Sequence, residues 1–253
     1  MRKRQAMSVQ REYYGWESPA VGRAMELLVF GHRGARVLVF PTSMGRFYEW
    51  EDHGMIAPLL PYLSQGCFQL FCLDSLDVES WYAADRPPAE RALRHLDYDR
   101  YLGNEVLPFT RNLNPDPYLA CLGASFGAFQ AGNFAFRRPE EVNRLVALNG
   151  YYHLQYLGVV DDDPAWPDGY TDPAVYANDP CQYLAGELDP RRREALARMK
   201  ITLATGENDR GRPNNELLSS LLRAQGIPHT VDVWRGGTHD WEAWRRMIQR
   251  YLL

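Results

Sequence analysis

The segment Gly123–Gly127 reads Gly-Ala-Ser-Phe-Gly and places a serine between two glycines in the spacing GxSxG. It follows the apolar run Leu119–Leu122 directly and opens a stretch with helical spacing of apolar residues. A serine on such a strand–turn–helix junction projects its hydroxyl above the sheet, and the glycines leave room for the tight turn. The motif predicts Ser125 as a nucleophile for acyl groups, with the N–H of Phe126 as one donor to the oxyanion.

Two further polar residues follow strand-like runs in the second half of the chain. Asp209 comes after the run Ile201–Ala204, and His239 lies between the run Thr230–Trp234 and a final amphipathic stretch. The chain order serine, acid, histidine is the one that α/β-hydrolases use. In such a triad the histidine takes the proton of the serine, and the acid holds the imidazole in the productive tautomer. The spacing therefore predicts a triad of Ser125, His239 and Asp209.

Each member of this triad has an alternative reading. Glu207 stands two residues before Asp209 and is an alternative acid. Ser125 is also compatible with a small residue in a tight turn, and His239 with a residue that supports the last helix. Of the other five histidines, His32 and His229 lie in turn-like positions, and His53, His95 and His153 have no metal-ligand spacing. The triad mechanism needs no metal and no organic cofactor, so we expect neither.

The loop after the run Val37–Phe40 is expected to supply the second oxyanion donor, from the backbone amide of Thr42 or Ser43. Aromatic residues follow this run and the next one. Because loops at this edge of an open α/β sheet surround the active site, these aromatic residues are candidates for a pocket wall, with ordinary packing as the alternative. They are Phe47, Tyr48, Trp50, Trp81 and Tyr82.

Several of these segments resemble one branch of the α/β-hydrolase superfamily, the esterases that include esterase D, enterochelin esterases and mycolyl esterases. The resemblance is carried by Gly123–Gly127, by Gly206–Asp209, by Gly237–Trp241 together with Trp244, and by Tyr101–Phe109 before the serine strand. It extends over about residues 26–253.

The resemblance implies the fold, with Ser125 as nucleophile, His239 as base and Asp209 as acid. The sequence departs from the family at Phe40–Gly45, where the family usually has His-Gly after the third strand. The second oxyanion donor and the substrate are therefore not implied by the resemblance.

Apolar, strand-like runs alternate with helical stretches along the chain, which predicts an α/β-hydrolase fold with a mostly parallel central sheet and helices on both faces. The first two runs, Glu26–Phe30 and Val37–Phe40, are separated by Gly31–Gly34, a turn that favours an antiparallel hairpin. Helices are expected at residues 55–63, 91–112, 213–225 and 240–252.

We expect residues 1–253 to form a single domain, with residues 1–25 as an N-terminal extension or sheet edge. Residues 151–190 are rich in proline, aspartate and aromatic residues and lack clear periodicity. A segment of this kind inside a domain predicts a small cap insertion over the site, with a surface excursion as the alternative.

The chain carries 28 basic and 32 acidic residues, a formal net charge of −4, so it lacks the basic excess of a nucleic-acid-binding protein. No apolar run approaches the roughly 20 residues of a membrane span. Polar residues follow the basic N-terminus where a signal peptide needs an apolar stretch, so we expect a cytoplasmic protein. The expected partner is a small-molecule ester, and a homo-oligomer is left open.

Together these features predict a serine carboxylic-ester hydrolase that acts on a small ester or thioester through an acyl-enzyme. Acyl transfer to an acceptor other than water is one alternative. A hydrolase fold retained as a non-catalytic binding or scaffold protein is the other, because a fold alone does not guarantee activity.

Overall fold

The computed structural model describes residues 9–154 and 172–252, and within them eight strands form one sheet. The strands are β1 (Arg11–Ser18), β2 (Arg23–Phe30), β3 (Ala35–Phe40), β4 (Phe68–Leu73), β5 (Leu119–Ala124), β6 (Arg144–Leu148), β7 (Lys200–Gly206) and β8 (Thr230–Trp234). Their order across the sheet is β1-β2-β4-β3-β5-β6-β7-β8. β1, β2 and β4 pair antiparallel, and every other neighbouring pair is parallel.

Helices connect these strands and cover both faces of the sheet. They are α1 (Glu49–Asp52), α2 (Leu60–Gln65), α3 (Pro88–Tyr101), α4 (Leu107–Leu113), α5 (Phe126–Arg137), α6 (Pro173–Tyr176), α7 (Pro180–Ala185), α8 (Pro190–Arg198), α9 (Arg212–Ala224) and α10 (Trp241–Tyr251). A π-helical turn at Leu102–Val106 joins α3 to α4.

Strands buried on both faces explain why the central runs are continuously apolar. In β3, Leu38 and Phe40 pack into the core beneath α3, α4, α5 and α7 to α9, whereas Val37 and Val39 pack into the core beneath α1, α2 and α10. The predicted α/β class, with a mostly parallel sheet between two helical layers, is thus confirmed.

The predicted antiparallel hairpin between the runs Glu26–Phe30 and Val37–Phe40, which form β2 and β3, is wrong. β4 lies between them, pairing antiparallel with β2 and parallel with β3. The other edge of β2 is occupied by β1, so β2 has no free edge for β3. The segment Gly31–Gly34 therefore carries the chain past the end of β4, where the N–H of Ala35 bonds to the carbonyl of Cys67 at 3.2 Å.

The described part of the N-terminal segment forms the edge strand β1. Within the predicted cap insertion, residues 151–190, the structure describes 151–154 and 172–190, and the remainder lies outside the described residues. Within the described range 172–190, α6 packs against α3, and α7 packs against α5 and α9. The cap and the single-domain organisation remain predictions.

No helix in the described parts of the chain is long and apolar enough to cross a membrane.

Candidate active site

Ser125 stands on the junction between β5 and α5 in a strained backbone conformation, with φ +56° and ψ −125°. The flanking glycines are required by close contacts across this turn. A Cβ on Gly123 would lie 2.0 Å from the carbonyl oxygen of Gly127, and a Cβ on Gly127 would lie 2.4 Å from the carbonyl oxygen of Pro41. Any larger residue would push the turn apart, so the GxSxG spacing follows from the packing of the turn against β3.

The structure brings the three predicted triad residues together at the carboxyl ends of β5, β7 and β8. Ser125 Oγ lies 2.8 Å from His239 Nε2, and His239 Nδ1 lies 2.7 Å from Asp209 Oδ2. The Asp209 carboxylate is completely buried, whereas the His239 side chain is 31% exposed. A continuous hydrogen-bonded chain therefore runs from a buried carboxylate to an accessible hydroxyl.

Asp209 is held as a carboxylate by the donors around it. Burial alone would raise the pKa of Asp209, but hydrogen bonds from His239, from Asn149 and from the N–H of Gly211 outweigh burial and hold that pKa below its ordinary value. Glu207, the alternative acid, is exposed and accepts a hydrogen bond from the N–H of Gly236 at 3.0 Å. Of the two acids, it is thus Asp209 that bonds to His239.

Asn149, which the sequence analysis did not single out, bonds to the same carboxylate. It follows β6 directly, is fully buried and has a φ of +50°. Its Nδ2 donates to Asp209, and its Oδ1 accepts from Trp244 Nε1 at 3.2 Å. The one feature of the sequence that could have indicated this role is the position of the asparagine directly after a buried strand. Asparagine is enriched in the left-handed conformation that Asn149 adopts.

The loop between β3 and α1, residues 41–48, lies next to the serine turn and is fixed by two carboxylates. Glu49 accepts from the N–H of Thr42 at 2.8 Å and from its hydroxyl at 2.6 Å. Asp77 accepts from the N–H of Met44 at 2.6 Å. The prediction of Thr42 as an oxyanion donor therefore needs correction, because its N–H already has a carboxylate acceptor; the predicted alternative, Ser43, lies between these two fixed amides.

Tyr82 connects this loop to the serine turn. Its hydroxyl donates to Ser43 Oγ at 2.7 Å, and its ring packs edge-on against the Phe126 ring with centroids 5.2 Å apart. Burial raises the pKa of Tyr82 to about 12, so the hydroxyl stays protonated and able to donate. Phe126 is the first residue of α5, where backbone N–H groups have no intrahelical acceptor.

The other predicted pocket residues lie elsewhere. Trp50 and Trp81 are each 1% exposed and belong to the core, where Trp50 packs against Trp241 and Trp81 packs against His95 and Phe129. As placed, neither offers surface to a substrate, because other side chains cover the indole rings.

Phe47 and Tyr48 pack edge-on against each other, and Phe47 also contacts Tyr13 on the edge strand. Two other aromatic rings lie next to His239, those of Trp244 and Tyr151, with centroids 5.1 and 5.9 Å from the imidazole. Tyr151 is the first residue of the predicted cap insertion, and its sequence context does not indicate a role in the site.

Among the described residues, no group of three or more histidine, cysteine, aspartate or glutamate side chains is arranged to hold a metal ion.

One protein-family model matches most of the chain. Residues 42–252 match the model of the family described as "Putative esterase", which spans the serine turn, the acid and the histidine. A search of curated protein sequences gives no match.

Solved structures of similar fold cover nearly the whole chain at low sequence identity. A ferulic acid esterase has 15% identity and a TM-score of 0.74, with 96% of this chain and 95% of that chain covered. S-formylglutathione hydrolase from Staphylococcus aureus has 17% identity and a TM-score of 0.69, with 96% and 94% covered. The fluorophosphonate-binding serine hydrolase F of the same organism has 17% identity and a TM-score of 0.71, with 96% of each chain covered. At these identities the likeness shows the fold.

Proposed function

Because this chain belongs to the "Putative esterase" family of the α/β-hydrolase superfamily and is a carboxylic-ester hydrolase, we propose that it hydrolyses small esters or thioesters through Ser125, His239 and Asp209. The observation that carries the proposal is the hydrogen-bonded chain from Ser125 Oγ through His239 to Asp209, with links of 2.8 and 2.7 Å. The strained serine backbone supports it, because strain of this kind clusters at functional sites.

In the first half-reaction His239 Nε2 takes the proton of the Ser125 hydroxyl while Oγ attacks the carbonyl carbon of the ester. The resulting imidazolium keeps its Nδ1–H on Asp209, whose negative charge stabilises it. The proton then passes from Nε2 to the leaving alcohol or thiol, and an acyl group remains on Ser125. Water repeats these steps in the second half-reaction and releases the carboxylic acid.

The negative charge on the carbonyl oxygen needs donors that are fixed before the reaction starts. The N–H of Phe126 at the start of α5 is the first, and the N–H of Ser43 is the second. Support for Ser43 comes from its two neighbours, since the amides of Thr42 and Met44 are bonded to Glu49 and Asp77.

A general test ester and two substrates chosen from the names of the structural neighbours provide a direct test. We expect the purified protein to hydrolyse p-nitrophenyl acetate, and the Ser125→Ala variant to reduce the rate by at least about a thousandfold. A feruloyl ester and an acyl thioester of glutathione, assayed side by side, separate the ester from the thioester class. Equal rates for the wild type and Ser125→Ala would contradict the proposal.

A further inference from the structure

Asn149 forms hydrogen bonds on both sides of its amide inside the protein. Oδ1 accepts from Trp244 Nε1 at 3.2 Å, and Nδ2 donates both to Asp209 Oδ2 and to the carbonyl oxygen of Thr238, the latter at 3.4 Å. Asn149 is 0% exposed and Trp244 is 4% exposed, so water does not compete freely for these bonds.

The partners dictate which way the amide points. An indole N–H can only donate, so it selects the oxygen end of the Asn149 amide. A backbone carbonyl can only accept, so that of Thr238 selects the nitrogen end. The N–H groups must then face Asp209, and a flipped amide would lose the bonds to Trp244, Thr238 and Asp209 together.

We propose that Asn149, oriented by Trp244, is a positioning residue that keeps Asp209 ionised and directed at His239. This inference rests on the proposed function, since its effect on catalysis passes through the triad. Asp209 Oδ2 accepts from both Asn149 and His239 Nδ1, and Oδ1 accepts from the N–H of Gly211. With both oxygens bonded, the carboxylate cannot rotate away from the imidazole without breaking these bonds.

The isosteric Asn149→Asp variant tests the donor. Aspartate has nearly the same size and tolerates a positive φ, but it replaces the N–H groups with an oxygen. Among the described residues, the other titratable groups that interact electrostatically with Asp209 are His239 and the hydroxyls of Tyr151 and Tyr152, and Arg210 interacts with Tyr151. None of them changes in this variant, so a new pH dependence would come from the pair of carboxyl groups.

Two carboxyl groups in contact share a proton at low pH and repel each other once both are ionised. For Asn149→Asp we expect kcat on p-nitrophenyl acetate to fall at least about tenfold at pH 8, with KM within about twofold. The loss should be smaller at pH 6, where the protonated partner again donates to Asp209. A loss that is independent of pH, or one confined to KM, would overturn the proposal.

Trp244→Phe tests the orienting step, because phenylalanine keeps a ring beside His239, at 5.1 Å in the wild type, but has no N–H. In the wild-type background we expect Trp244→Phe to lower kcat by about threefold or more. The same substitution is then made in Asn149→Gly, whose glycine accepts the positive φ but has no side-chain amide. In that background Trp244→Phe should not lower kcat further. Additive effects of the two substitutions would mean that Trp244 does not act through Asn149.

A readout that needs no substrate separates this inference from the proposed function. The proton on His239 Nδ1, bonded to Asp209, should give a far-downfield proton NMR signal that shifts or disappears in Asn149→Asp while circular dichroism shows a folded protein. If the signal responds but the wild type hydrolyses no ester, the proposed function fails and the positioning role stands. An unchanged signal in a folded variant would overturn the positioning role whatever the activity; if Asn149→Asp does not fold, the same measurement is made on Asn149→Gly.

Discussion

The hydroxyl of Tyr82 donates a hydrogen bond of 2.7 Å to the hydroxyl of Ser43, and the same Tyr82 ring packs on Phe126. One side chain therefore contacts both residues whose backbone N–H groups we assign to the oxyanion. Since the two donors come from separate segments, β3–α1 and β5–α5, the spacing between them depends on side chains that bridge these segments.

Tyr82→Phe keeps the ring on Phe126 and removes the bond to Ser43. We expect kcat for p-nitrophenyl acetate to fall by about fivefold or more with little change in KM, because oxyanion donors act mainly in the transition state. Tyr118→Phe is the matched control, since Tyr118 is 38% exposed and precedes the amino end of β5, whereas Ser125 follows the carboxyl end of that strand. A rise in KM with an unchanged kcat would instead make Tyr82 a substrate contact.

Asparagine and glutamine substitutions of the two candidate acids distinguish their roles. Asp209 bonds to His239 at 2.7 Å, whereas Glu207 bonds to the N–H of Gly236. We expect Asp209→Asn to lower kcat by about a thousandfold or more, because the amide favours the wrong histidine tautomer. Glu207→Gln should stay within about twofold of the wild type. The opposite order in steady-state assays would assign the acid to Glu207.

Asp77 predicts a pH dependence of stability. Burial raises the pKa of this carboxyl to about 6, although hydrogen bonds from Ser75 and from the N–H of Met44 act in the opposite direction. The folded protein therefore binds this proton more tightly than the unfolded chain between about pH 4 and about pH 6. The contribution of this carboxyl to the free energy of unfolding rises as the pH falls through that window, and it is lowest above it.

Asp77→Asn removes this titration and gives the reference. Urea unfolding at pH 4.5 and pH 7.5 gives the free energy of unfolding of both proteins. The value for the wild type minus that for the variant should increase on acidification by about 2 kcal/mol. A difference that stays constant or decreases would show that the carboxyl is not buried as described.

Substitution of Trp81 tests whether this residue belongs to the hydrophobic core or to the wall of the substrate pocket. With 1% exposure and contacts to His95 and Phe129, Trp81→Ala should lower the free energy of unfolding by about 3–5 kcal/mol. Urea denaturation measures this loss. An equally stable variant with a raised KM for aryl esters would return Trp81 to the pocket wall that its position in the sequence suggested.

Much of the fold and of the candidate site could be predicted from local sequence patterns. The GxSxG turn, the polar residues after β7 and β8, and the apolar central strands are each defined by a few adjacent residues, so the sequence predicts the positions of Ser125, Asp209 and His239. Parallel strands then bring these residues to one edge of the sheet.

What the sequence did not reveal depends on contacts between distant segments. Nothing in Gly31–Gly34 indicates that β4 will lie between β2 and β3, because strand order is decided by pairing across the whole sheet. Trp50 and Trp81 follow strands in the way that pocket residues do, and only their packing partners place them in the core. Asn149 acquires its role from Asp209 and Trp244, which are 60 and 95 residues further along the chain.

Labelling with a fluorophosphonate probe, read by intact mass, tests directly whether Ser125 is an activated nucleophile, since such probes react with serines that a base has activated. We expect a single adduct on the wild type that maps to Ser125 and is absent from Ser125→Ala. We also expect strongly slowed labelling in His239→Asn. An unlabelled but folded wild type, or an adduct that persists in Ser125→Ala, would contradict the assignment of Ser125 as the nucleophile.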